Sequence, residues 1–278
     1  MRGWAITLLL LAACDRNAAP DEPALDARPA QLTFEGADYK TDTAKVAHGK
    51  RLAIILDCTG CHGDNFQGMD MEASDPKDEA TYAPNLTLLL AKYSDADLDK
   101  LIRRGVPKDG REFWWMPVES YQFLSDADLA AIIAYLRTFK PAGKPLPAFK
   151  QNAGMKKEVA EGVLGNSQVQ IAKYRDQPPP DVGPQHAWGR QLARTTCAQC
   201  HNNALQGWKD FTPDLDIAGA YSKAELTQLL TTGEGKTKKK NFGMTEIVRD
   251  HLSHLTPRER DAIVDYVLAR ANRPQPPQ

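Results

Sequence analysis

Two copies of one short motif constrain this 278-residue chain more than any other feature. The strings are Cys58-Thr-Gly-Cys61-His62 and Cys197-Ala-Gln-Cys200-His201, each of the form C-x-x-C-H. This spacing is typical of c-type haem attachment, because the two cysteines can form thioethers to one haem while the adjoining histidine binds its iron. A bare C-x-x-C would also suit a zinc knuckle or a redox dithiol, but neither half offers a partner C-x-x-C or a thioredoxin-like βαβ pattern. The sequence therefore predicts two covalently attached haem groups, with His62 and His201 as iron ligands.

The chain repeats itself around these motifs. Similar stretches lie before each motif, in the middle of each half and near its end. The matched pairs are residues 47–53 with 187–193, 93–98 with 221–226, and 124–128 with 255–259. Three matches in the same order predict two copies of one domain.

Four of the matched positions carry a helix-start signature, in which a serine or threonine precedes an acidic residue by three positions. The pairs are Ser94 with Asp97, Ser125 with Asp128, Ser222 with Glu225, and Thr256 with Glu259. Apolar residues follow each start at helical spacing, and no run of alternating apolar and polar residues is long enough for a strand. The predicted fold class is all-α, with two tandem domains, each wrapped around one haem. We predict domains at 38–140 and 183–271, a linker at 141–182 with some helix, and a frayed tail at 272–278.

The amino-terminal segment has the pattern of an export signal. A charged start is followed by an apolar run that is too short to span a bilayer, and residues 1–13 end at Leu11-Ala12-Ala13 before Cys14. This ending resembles a bacterial lipoprotein signal, in which the cysteine is acylated; an ordinary signal peptide cut near Ala13 is the alternative. Residues 14–37 have the composition of a flexible tether. We therefore expect a lipid-anchored protein on the periplasmic side of a bacterial membrane, where haem c is attached.

Charge argues against nucleic acid as a partner. The whole chain has 35 basic and 36 acidic side chains, and cleavage after residue 13 removes one arginine, leaving 34 against 36 and a formal charge of −2.

Each half resembles a class I cytochrome c domain, with C-x-x-C-H after a first helix, a methionine loop and a last helix. The resemblance covers residues 38–140 and 183–271. It implies that a glycine and an aromatic residue meet where the first and last helices cross, as Gly49 with Tyr135 and Gly189 with Tyr266. It also implies that the carbonyl groups of Pro84 and Pro213 accept hydrogen bonds from the two iron-binding histidines.

The same resemblance implies a methionine as the second axial ligand of each iron. In the first half it points to Met116 in Phe113-Trp-Trp-Met-Pro117, because Met69 and Met71 follow His62 too closely. In the second half it points to Met244, which lacks the following proline.

The sequence also predicts roles for several other side chains near these ligands. His251 and His254 are alternatives to Met244, although a surface or capping role is favoured for both, and His48 and His186 are expected to be exposed. Trp114 and Trp115 are expected to shield the first haem, with an indole N–H towards a propionate. Residues 236–240, rich in lysine, are either a basic docking rim or a solvated loop.

The stretch from Met116 to Arg137 resembles the cytochrome subunits that serve membrane-associated dehydrogenases. The resemblance implies an electron-transfer protein rather than an enzyme, without a small-molecule substrate. Its partner would be a redox protein: a periplasmic dehydrogenase, a respiratory complex or a terminal oxidase. The alternatives are a dihaem peroxidase, which needs an iron with an open distal side and an acid or base above it, and a haem-based redox sensor with a weakly held ligand.

Overall fold

The structure of the chain is a computed structural model, and it describes residues 31–71, 81–209, 211–236 and 243–274. The predicted signal, Cys14 and most of the predicted tether lie outside the described residues. So do the lysines at positions 238–240. None of the helices in the described part of the chain has the length and apolar character needed to span a bilayer.

The first half contains six helices and one small pair of strands among its described residues. The helices are α1 (Asp42–Ile55), α2 (Cys58–His62), α3 (Leu86–Leu90), α4 (Asp95–Arg104), α5 (Val118–Tyr121) and α6 (Asp126–Leu136). The strands β1 (Met69–Asp70) and β2 (Tyr82–Ala83) pair antiparallel, with Met69 opposite Ala83. At two residues each they are too short to show alternation in the sequence.

The linker and the second half are helical as well. The linker contains α7 (Ala153–Ala160) and α8 (Ser167–Arg175), and the second half contains α9 (Ala187–Thr196), α10 (Ala198–His201), α11 (Lys223–Thr232), α12 (Met244–Asp250) and α13 (Pro257–Ala271). Short 3₁₀ helices lie at Pro184–His186, Leu215–Ala220 and Leu252–His254. The all-α prediction is confirmed.

The four predicted helix starts are the observed amino-terminal caps of α4, α6, α11 and α13. Three of them form complete capping boxes, in which the acidic side chain bonds back to the backbone N–H of the cap residue. In α6 the Asp128 carboxylate is used elsewhere: it accepts hydrogen bonds from the backbone N–H of Phe34 at 3.1 Å and from the ring of His48 at 2.8 Å. His48 is therefore buried, and the prediction that it is exposed was wrong.

Each half is built on the crossing of its first and last helices, α1 with α6 and α9 with α13. Glycine lies at both crossings, because a Cβ at Gly49 would overlap the carbonyl of Ala131, and a Cβ at Gly189 would overlap that of Ala262. The Cβ of Tyr266 is also within reach of Gly189, as predicted. In the first half the nearest atoms to Gly49 are backbone atoms.

No atom of Tyr135 is among the three atoms nearest to a Cβ at Gly49, so the predicted pair of Gly49 and Tyr135 stays a prediction. The ring of Tyr135 packs on Phe139 and Phe66, with centroid distances of 5.3 and 5.9 Å.

The two halves share one compact unit that extends from Leu32 onwards. Residues 33–36, predicted as part of the tether, lie across both halves: the Phe34 N–H bonds Asp128 of α6, and the Glu35 N–H bonds Glu259 of α13 at 2.8 Å. Arg51 of α1 also pairs with Glu259, at 2.7 Å. The tether prediction therefore extended too far, because backbone donors of this segment satisfy two buried carboxylates.

Candidate haem-binding sites

Both C-x-x-C-H motifs form a short helix at the end of a longer one. Cys58 and Cys61 lie three positions apart on α2, whereas Cys197 is the cap residue of α10 and Cys200 lies within that helix. Side chains at this spacing lie on one side of a helix. All four cysteines are free thiols, which is the state that thioether formation requires.

The two histidines are oriented by backbone carbonyl groups. Nδ1 of His62 donates to the carbonyl of Pro84 at 3.1 Å, and Nδ1 of His201 donates to that of Pro213 at 2.9 Å. These are the hydrogen bonds that the sequence resemblance implied. With Nδ1 engaged, each ring presents Nε2 to a metal.

Burial is the largest cause of the pKa shifts of both histidine rings. It lowers the pKa of His62, and the hydrogen bond to Pro84 opposes it. It also lowers the pKa of His201, against the bond to Pro213. Both rings are thus kept in the neutral form that ligates iron.

The thiol environments do not suit a redox dithiol. Burial, reinforced by the Asp57 charge, raises the pKa of Cys58 to about 12 and that of Cys61 to about 11. Burial also raises the pKa of Cys197 to about 11. Redox dithiols depend on a lowered pKa. No group of three or more His, Cys, Asp or Glu side chains among the described residues is arranged to hold a metal ion.

Met116 lies in a loop with an unusual backbone. Trp115 has a positive φ of 64°, and Val118 N–H donates to the Met116 carbonyl at 2.7 Å before α5 begins. The Met116 side chain is half-buried and packs against the same apolar core as Cys58. Met69 of β1 is 40% exposed.

Met244 is the first residue of α12 and is also half-buried against the core. The next residue, Thr245, donates its hydroxyl to the carbonyl of Gly233 at 2.8 Å, which ties the start of α12 to the end of α11. Residues 237–242, directly before Gly243, lie outside the described part of the chain.

The alternative ligand His251 is engaged elsewhere. Its Nδ1 bonds the carbonyl of Ile54 at 2.9 Å, and its Nε2 lies 3.1 Å from Oδ1 of Asp57, both in the first half. The expectation of a surface or capping role for His251 was therefore wrong, whereas His254 is exposed. His186 is half-buried rather than exposed.

The predicted roles of the two tryptophans towards the haem stay predictions. The Trp114 indole N–H donates to Oε2 of Glu112 at 3.2 Å. The Trp115 ring is 45% exposed and packs edge-on against Phe149.

Lys236, the one lysine of the predicted basic rim that is described, donates to the carbonyl of Ala220 at 2.9 Å and lies 3.7 Å from Glu225.

Two groups near the motifs escaped the sequence reasoning. Asp57 precedes Cys58 in a left-handed conformation, with φ of 57°, and Gln199 lies between the cysteines of the second motif. Their position beside the cysteines was the only available signal, because their partners lie in the opposite half.

Comparison with known proteins fits these sites. The sequence model of the family described as cytochrome c matches residues 46–140 and 186–270, more than half of the chain. The chain belongs to the cytochrome c family. Membership implies covalently bound haem c, and the free cysteine pairs and oriented histidines fit that group.

Relatives of this cytochrome include subunits of dehydrogenases. It is 24% identical to the fructose dehydrogenase cytochrome subunit of Gluconobacter japonicus, an alignment that covers 94% of this chain and 57% of the relative. It is 25% identical to the gluconate 2-dehydrogenase cytochrome c subunit of Pantoea cypripedii, over 83% and 60% of the two chains. A shorter match, 29% identical over 37% of this chain and 24% of the relative, is to the cytochrome c subunit of a quinone alcohol dehydrogenase of Gluconacetobacter polyoxogenes.

These relatives support an electron-transfer role for the chain. The chain spans between one half and two thirds of the length of the first two relatives.

Proposed function

We propose that this chain is a dihaem cytochrome c that carries single electrons between a donor and an acceptor. The observation that carries the proposal is the presence, in both halves, of a free cysteine pair and a histidine fixed through Nδ1 by a proline carbonyl. Haem c supplies one-electron chemistry when it is bound.

In this proposal His62 and Met116 hold one iron, and His201 and Met244 hold the other. Two strong protein ligands leave no open coordination position, so a small molecule is not a substrate. A thioether ligand also raises the reduction potential relative to two histidines. The engagement of both His251 ring nitrogens favours Met244 over that histidine.

The proposed electron partner is a periplasmic dehydrogenase, a respiratory complex or a terminal oxidase, and the names of the relatives favour a dehydrogenase. The chain would then be an electron-transfer subunit without catalytic activity of its own.

We place the protein on the periplasmic side of the membrane, held by a lipid on Cys14. The run of small and apolar residues that ends at Cys14 supports this location. Cys14→Ser should move the protein from the membrane fraction to the soluble periplasmic fraction with its haem content unchanged. A variant that stays with the membrane would show that lipid on Cys14 is not the anchor.

The experiment that tests the function is ligand binding to the reduced and oxidised protein. A carrier with both axial positions filled should bind carbon monoxide and hydrogen peroxide slowly or not at all, and it should be reduced rapidly by the dehydrogenase that co-purifies with it from solubilised membranes. Rapid binding of either small molecule by the wild type would favour a peroxidase or a sensor instead.

A further inference from the structure

The interface between the two halves brings the two cysteine motifs together. Gln199, inside the second motif, donates its side-chain amide to the carbonyl of Leu56 at 3.1 Å. Leu56 lies two residues before Cys58. The Tyr121 hydroxyl donates to the same carbonyl at 2.6 Å and lies 3.4 Å from the Gln199 amide. The two predicted haem attachment motifs therefore lie against each other at this interface.

Asp57 lies within this junction, close to groups of both halves. Its side chain folds over the next turn, where a Cβ at Gly60 would overlap Oδ1. From the other half, Nε2 of His251 lies 3.1 Å from the same oxygen, while Nδ1 of His251 is tied to Ile54. The carboxylate is 28% exposed, and burial raises the pKa of Asp57 while the His251 charge lowers it.

Asp57 lies between the two motifs. It directly precedes Cys58 of the first motif and directly follows Leu56, whose carbonyl accepts the hydrogen bond from Gln199 of the second motif. One carboxylate therefore lies close to both haem attachment motifs.

We propose that Asp57 is a shared electrostatic determinant that lowers the reduction potentials of both haems. The inference rests on the proposed dihaem function. Each reduction adds one electron to an iron and removes one positive charge, so a nearby carboxylate stabilises the oxidised form. Because Asp57 belongs to the first half but faces the second across a packed interface, it acts on two irons at once.

The test is a spectroelectrochemical titration of the full-length holoprotein and its Asp57→Asn variant. Asparagine adopts the left-handed conformation of position 57 as readily as aspartate, so the backbone need not change. Both reduction potentials should rise in the variant. The titration is repeated in a His251→Asn background, which removes the ring that faces the Asp57 carboxylate.

Asp64→Asn is the matched control. Asp64 is an exposed carboxylate two residues after His62. The same change of charge there should therefore raise only the reduction potential of the haem held by His62, and by less than Asp57→Asn does. If Asp57→Asn in the His251→Asn background moves only one potential, or neither, this inference is wrong while the dihaem function stands. If the titration of the wild type does not show two one-electron components, both this inference and the proposed dihaem function are contradicted.

Discussion

The two halves of this cytochrome share one fold but support their predicted ligands differently. In both, a glycine with positive φ ends the middle helix and packs against a residue just after the predicted methionine: Gly105 against Val118, and Gly233 against Thr245. In the first half the linker adds to this support, because the Ser167 N–H donates to the carbonyl of Phe113 at 2.7 Å. The second half uses its own α11 and α12 instead.

The prolines show the same contrast. Next to Pro84, Asn85 donates its side-chain amide to the carbonyls of Ala142 and Lys144 in the linker, at 2.8 and 3.2 Å. Next to Pro213, Asp214 pairs at 2.8 Å with Arg270 of α13, whose side chain is fully buried. The first site thus depends on the segment that joins the halves, whereas the second is supported from within its own half.

The largest effect is expected from the ligands themselves. Met116→Ala and Met244→Ala should each remove about half of the red methionine-to-iron charge-transfer band of the oxidised protein, because each site contributes one thioether. Absorption spectra of the two variants check this. A full band in Met244→Ala would show that the second half uses another ligand and that the halves differ in chemistry as well as in support.

The contacts beside Pro84 and those beside Pro213 should contribute differently to the free energy of unfolding. Arg270→Gln removes a fully buried guanidinium from its pairs with two partly exposed carboxylates, Asp214 and Asp216, and should lower the free energy of unfolding by about 2–3 kcal/mol after allowance for their exposure. Asn85→Ala removes neutral hydrogen bonds and the cap of α3, and should cost about 1–2 kcal/mol. Denaturant unfolding measures both, with the exposed pair of Arg249 and Asp250 as control, where Arg249→Gln should leave the free energy of unfolding unchanged within error. Equal costs for Arg270→Gln and Asn85→Ala would remove the proposed contrast.

The helix crossings should respond alike in the two halves. Gly49→Ala and Gly189→Ala place a Cβ against a backbone carbonyl and should each destabilise the protein by about 1–3 kcal/mol. Gly154→Ala on α7 meets only the side-chain oxygen of Asn152, at 3.4 Å, and should change stability by less than about 0.5 kcal/mol. If thermal unfolding showed no loss of stability for one of these two glycine variants, the helix crossing at that glycine would be looser than the structure indicates.

The smallest effect concerns a carboxyl group that only the first half has. Burial raises the pKa of Glu119 to about 7, three residues after Met116, whereas Ile247 stands three residues after Met244. The folded protein therefore holds a proton that the unfolded chain releases, so this group's contribution to stability is full at low pH and is lost as pH rises towards 7.

Glu119→Gln should accordingly match the wild type near pH 4 and be more stable by about 1–2 kcal/mol near pH 8, after allowance for partial exposure. Unfolding curves across this pH range check the sign. Glu158→Gln, at an exposed position on α7, should show no such trend. A stability gain for Glu119→Gln that is independent of pH would mean that ionisation of Glu119 is not its cause.

The local features of both halves were predictable from sequence, because they depend on residues close together in the chain. The capping residues Ser94, Ser222 and Thr256 are examples, and the bonds from His62 and His201 to the prolines followed from the family resemblance.

The errors concern long-range contacts. His48 contacts Asp128, which lies 80 residues further along the chain, and His251 contacts Ile54, which lies 197 residues earlier. A sequence pattern shows neither pairing, because both depend on how helices and halves pack. The role of residues 33–36 was missed for the same reason.

The central claim is that each half is a complete haem site, and haem content per chain tests it most directly. Intact-mass and absorption measurements on the purified protein should show two haems. One haem should remain in a variant with Cys58→Ser and Cys61→Ser, and one in a variant with Cys197→Ser and Cys200→Ser. A wild type that carries a single haem would contradict the account.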